Sequence, residues 1–151
     1  MMWEIIGVPV DSKRFEPFEP LRILNYYDGP RIFTFHAADD ELCLACWSDE
    51  DETQSRFLVL PVSERIVSDL EAGLLSVREA LAQPQFWVVD TGIEGVIRGA
   101  WLVKAIDVPE DAQPQVGTML HRSLEPVIRK RMMIEPLQIP GGILRSSLEE
   151  V

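Results

Sequence analysis

Along its first two-thirds the chain alternates short apolar runs with polar turns, a spacing that suits strands and leaves little room for long helices. Trp3 to Val8 alternates loosely and reads as a first strand. Asp11 to Pro20 is polar, carries Pro17 and Pro20, and reads as a connector. Ile23 to Tyr27 and Pro30 to Phe35 then flank Asp28-Gly29. That pair suits a two-residue type I′ hairpin turn, because glycine takes a positive φ at no steric cost. On the return strand Phe33 and Phe35 share one face, and Thr34 and His36 share the other. After a turn at Ala38 to Glu41, Leu42 to Trp47 is apolar on both faces, which predicts a central strand. Ser48 to Ser55 reads as an acidic loop, and Arg56 to Leu60 as a fourth strand stopped by Pro61. Strands joined by short turns predict an antiparallel meander.

The period changes after Pro61. Ser63 is a fit N-cap, Val62 and Val67 suit a hydrophobic staple, and Ile66, Val67 and Leu70 form one apolar stripe. Gly73 stands where a helix C′ residue belongs. Ser76 to Glu79 is a capping box for a second, shorter helix that ends before Pro84. Phe86 to Asp90 and Val96 to Ile106 read as two further strands across a turn at Thr91 to Gly95. Beyond Pro109 the prolines and Gly141-Gly142 make the pattern irregular. The fold expected is a single α+β domain: an antiparallel sheet of five to seven strands, two short helices on one face, and an irregular C-terminal segment in which residues 112–151 form a docking or interaction tail.

Size and composition fit one globular domain of 151 residues, and no apolar run reaches the length of a membrane span. Met1 to Gly7 contains an acid and no basic run, so it does not read as a signal peptide, and a cytoplasmic setting is expected. The formal charge of −11 opposes direct nucleic-acid binding, which needs a basic face. The charge is uneven. Residues 1–75 hold 15 acids and 6 bases, whereas residues 113–148 hold Arg122, Arg129, Lys130, Arg131 and Arg145 against Glu125 and Glu135.

Few residues suggest chemistry. Cys43 and Cys46 have the spacing of half a zinc site, but a second pair is missing, and in a strand residues three apart diverge to opposite faces. They are expected to be buried thiols, with no metal and no cofactor. Asp49, Glu50, Asp51 and Glu52 lack the alternating oxygens and internal glycine of a calcium loop. They read as a solvated hairpin, or as a docking patch for a basic partner. Arg129, Lys130 and Arg131, set between Val127-Ile128 and Met132 to Ile134, suit an acidic partner groove or phosphates, against the plainer alternative of a basic face folded onto the acidic body. Tyr26, Tyr27 and the four tryptophans are expected mainly in the core, with one or two free to anchor a partner.

The segments Tyr27 to Phe33, Phe57 to Ser63 and Asp69 to Leu81 together resemble a family of small bacterial proteins filed as a domain of unknown function, over roughly residues 20–90. The resemblance implies a bacterial, cytoplasmic accessory protein and transfers no site residue. The function expected is a non-catalytic binding subunit, an accessory or inhibitor of the immunity or antitoxin kind, using Asp49 to Glu52 and Arg129 to Arg131 against another protein. The first alternative is a small enzyme around His36 and either Asp39 or Asp40, with Tyr27 as a further candidate. The second is a self-assembling subunit that pairs through an open edge strand.

Overall fold

The computed structural model describes residues 2–120, and the structural statements below refer to these. Seven strands form one antiparallel sheet: β1 (Gly7–Pro9), β2 (Arg22–Tyr26), β3 (Pro30–His36), β4 (Leu42–Glu50), β5 (Gln54–Pro61), β6 (Gln85–Gly92) and β7 (Ile97–Lys104). Their order is β1-β7-β6-β5-β4-β3-β2. From β2 onward the sheet is the expected meander. β1 breaks it by pairing with β7 at the far side, Val8 opposite Leu102. The chain must therefore cross the whole sheet between Pro9 and Arg22.

That crossing corrects the reading of Asp11 to Pro20 as a mere connector. Phe15, at the end of a 3-10 turn (Ser12–Phe15) capped by Asp11, is fully buried. With Phe18 it joins the cluster of Phe33, Phe35, Phe57 and Val59, and its ring meets Trp87 edge to face at 5.4 Å. Phe18 meets Phe33, Phe35 and Phe57 edge to face at centroid distances of 5.4, 4.9 and 5.4 Å, the geometry that the ring quadrupoles favour. The backbone of this strap is pinned by Val10 N–H to the Ala100 carbonyl and by Ala38 N–H to the Arg14 carbonyl.

The opposite face carries the helices α1 (Glu64–Glu71) and α2 (Val77–Ala80). Leu70, Val77, Ala80 and Leu81 pack there on Leu44, Leu58, Leu60, Phe86 and Val88. The caps form as read. Ser63 Oγ accepts from Ile66 N–H, and Ser76 and Glu79 exchange both bonds of the capping box. Gly73, at φ +75°, closes α1 with the paired bonds of a Schellman end: its N–H to the Leu70 carbonyl and Leu74 N–H to the Asp69 carbonyl.

Three local expectations shift. The β2–β3 loop has three residues, Tyr27 to Gly29, because Tyr26 stands opposite Pro30; Asp28 and Gly29 both keep positive φ. The acidic loop shrinks, since Ser48 to Glu50 finish β4 and Gln54 and Ser55 begin β5. The first strand starts at Gly7 and not at Trp3, whose backbone bonds elsewhere. Past β7, two 3-10 turns (Ala105–Asp107 and Glu110–Ala112) bring Val108 and Ala112 into the helix-side core.

Candidate functional site

The alternation of β4 separates the two thiols. Cys43 joins the strap-side core and Cys46 the helix-side core. Both are fully buried, and burial pushes each up to about 12; for Cys43 the nearby Glu41 carboxylate adds to the rise. A thiol held neutral this firmly is neither a nucleophile nor a ready metal ligand. Among the described residues no group of three or more His, Cys, Asp or Glu side chains is placed to hold a metal ion.

The acidic quartet is largely engaged by the fold. Asp49 accepts from Trp3 N–H and Glu50 N–H. Glu50 accepts from Arg31 at 3.0 Å and from Trp47 Nε1 at 3.2 Å. Asp51 caps its turn, taking bonds from the N–H and hydroxyl of Thr53 and from Gln54 N–H, and these bonds lower its pKa. Glu52 stands exposed at the tip. Arg129, Lys130, Arg131 and His121 lie outside the described residues.

His36 is exposed at the end of β3, opposite Leu42. No hydrogen bond joins it to Asp39 or Asp40. Asp39 instead caps Glu41 N–H, and Asp40 sits at φ +67° in the turn. Two open depressions of about 540 and 530 Å³ lie elsewhere, one beside Val62, Ile66 and Leu75, the other beside Glu110, Asp111 and Gln113. Neither includes His36, Tyr27 or a thiol.

Sequence reasoning missed the polar cluster at one end of the helix side. Arg56 and Asp90, on neighbouring strands and directly opposite each other, form a buried two-pronged ion pair with both contacts at 2.7 Å. Arg56 also donates to the Trp3 carbonyl and lies 5.0 Å below the Trp3 ring. Trp3 Nε1 donates to Ser48 Oγ, whose hydroxyl donates to the Ala112 carbonyl. These bonds satisfy the buried charges and fasten two chain segments to the sheet. Nε, Nη1 and Nη2 of Arg56 each donate one of these bonds, so the cluster acts as a clasp.

Among the described residues, exposed apolar side chains gather at the β2 edge, while Ile6 and Val8 are exposed beside the other edge. Tyr26 and Tyr27 are 51% and 74% exposed, the two of the six tyrosines and tryptophans that stand free of the core; Leu21 and Ile23 are 61% and 47% exposed. The four tryptophans are half-buried. Among the described residues β2 pairs with β3 alone, so its outer side is a sheet edge. The other edge, β1, is three residues long and ends at Pro9, which has no N–H to offer. The hairpin that builds β2 was legible in the sequence. Its exposure was not, because that depends on which strand ends the sheet.

Comparisons of the chain with protein-family models, with curated proteins and with solved structures found no match. No helix among the described residues is long and apolar enough to cross a membrane.

Proposed function

We propose that the chain is a non-catalytic protein-binding subunit, accessory or inhibitory to its partner, and that it meets the partner at β2 and the loop after it. The observation that carries this reading is the row Leu21, Ile23, Tyr26 and Tyr27, exposed along an open strand edge. Isolated exposed apolar side chains are ordinary, but apolar and aromatic groups gathered on one edge mark interaction surfaces. Tyrosine anchors interfaces at low entropic cost because it has few rotatable bonds. The acidic body supports the reading through association rate. Residues 2–120 hold 21 Asp and Glu against 9 Lys and Arg, a formal −12, which steers a basic partner inward.

The test is affinity capture from the source cells with the native chain, an Ile23→Lys chain and a Tyr26→Ala/Tyr27→Ala chain. The expected result is one stoichiometric partner held by the native chain and lost from both variants, at an unchanged melting temperature. Equal capture by all three chains would put the binding surface elsewhere.

A further inference from the structure

The β2 edge carries a statement about what kind of partner segment it takes. We infer that β2 accepts an extended strand from a basic partner, one that alternates cationic with apolar side chains and adds to the sheet as an eighth strand. This rests on the protein-binding reading and specifies its mode.

Three features point this way. The first is backbone supply. β2 is the open edge of a twisted antiparallel sheet among the described residues, and such an edge offers N–H and C=O groups that an incoming strand satisfies. Register shifts between Ile23 and Asn25 and between Asn25 and Tyr26 bend the strand, so the regular part of the edge is Arg22 and Ile23, with Tyr26 and Tyr27 beyond it as side-chain contacts.

The second is charge at the edge itself. Its one cation, Arg22, pairs with Glu71 at 2.8 Å, and Arg31 on the neighbouring β3 pairs with Glu50 at 3.0 Å. Exposed Glu19 and Asp28 bracket the strand, and among the described residues neither has an ion-pair partner. The edge therefore carries the apolar Leu21 and Ile23, the paired Arg22 and those two acids at its ends, which a strand with cations at both ends complements.

The third is the whole-body charge. Two copies, each at −11, repel, which disfavours β2 pairing with β2 of a second copy and favours a basic partner.

The experiment uses the full chain with isotope-labelled amides and three synthetic peptides of about eight residues, a usual strand length. One alternates lysine with valine. The second replaces each lysine with glutamate. The third is the lysine peptide with alternate amides N-methylated, which keeps the charge and removes the backbone donors. Expected for the lysine peptide are shifts centred on Leu21 to Tyr27 and exchange of the outward β2 amides slowed about tenfold or more, as burial in a new ladder requires. The N-methylated peptide should lose the slowing, and the glutamate peptide should bind about tenfold more weakly or worse, since like charges now face each other.

Shifts spread over the acidic surface without β2 protection, or equal binding of the methylated peptide, would overturn strand addition. Sedimentation showing a dimer that Ile23→Lys dissolves would replace the basic partner with a second copy. If the peptides fail while the native chain still captures a partner that Ile23→Lys loses, the binding reading stands and only the strand mode falls.

Discussion

The two faces of this sheet are closed by different means. On the helix side α1 and α2 lay Leu70, Val77 and Leu81 over Leu44, Leu58 and Val88, each helix set by its own caps and hydrogen bonds. On the strap side, residues 10–18 hold one short 3-10 turn and no strand or α-helix, and the cover is aromatic: Phe15 and Phe18 in one cluster with Phe33, Phe35 and Phe57. A helix satisfies its own backbone wherever it docks. A strap has to find partners for each N–H and C=O along its path, and this one is tied by a few bonds such as Val10 to Ala100. Its hold on the sheet therefore depends more heavily on side-chain burial.

The sharpest way to break that contrast is to remove one side chain from each cover. Phe15→Ala should cost about 3–5 kcal/mol, since a fully buried ring leaves a cavity that a strap crossing between two edges cannot close. Leu70→Ala should cost about 2–5 kcal/mol by the same mechanism on the helix side. Urea unfolding of the two variants decides it. A loss below about 1 kcal/mol for Phe15→Ala would mean the strap is a passive covering, because a buried ring cannot be removed so cheaply from a packed site.

A second comparison sets buried charge against buried apolar surface. Arg56→Met leaves Asp90 buried without its partner and should cost about 3–5 kcal/mol, whereas Arg56→Met with Asp90→Leu should recover most of that. The pair sits under Trp3, and removing the guanidinium also frees the Trp3 carbonyl and ring. Thermal unfolding of the single and double variants is the measurement. A double variant as unstable as the single one would show that Arg56 acts mainly by holding Trp3 and the segment it belongs to.

The same contrast explains what the sequence disclosed. The helix side was legible because its signals are local: Ser63 three residues before Ile66, Ser76 three before Glu79, Gly73 at the stop. The hairpins were legible for the same reason, and so was the divergence of Cys43 and Cys46. The strap was not. Phe15 and Phe18 stand in a polar, proline-bearing stretch with no period, and what buries them is the position of β1 beside β7, a pairing of residues more than ninety apart in sequence. The Arg56–Asp90 clasp fails to show for the same reason, since Arg56 precedes one apolar run and Asp90 ends another. The β2 edge was half legible: its hairpin is local, and its exposure follows from the global strand order.

The smallest effect gives the finest resolution, because β4 carries one thiol into each face. Both thiols are neutral in the folded state, pushed from 9.0 to about 12. The unfolded chain ionises first on raising the pH, so the contribution of the two neutral thiols to stability is whole below about pH 9 and is lost as the pH climbs toward 12. At pH 8 a thiol reagent therefore reaches either cysteine only through opening of the face that covers it. In Cys46→Ala and Cys43→Ala chains, each with one thiol, the labelling rate reports the strap side and the helix side in turn. A strap held by few backbone bonds should lift without unfolding the sheet, so Cys43 should react faster than Cys46, and adding Phe15→Ala should widen the gap. Equal rates that track global unfolding in urea would mean that the two covers melt as one unit, and that the aromatic cluster makes the strap as cooperative with the sheet as the helices are.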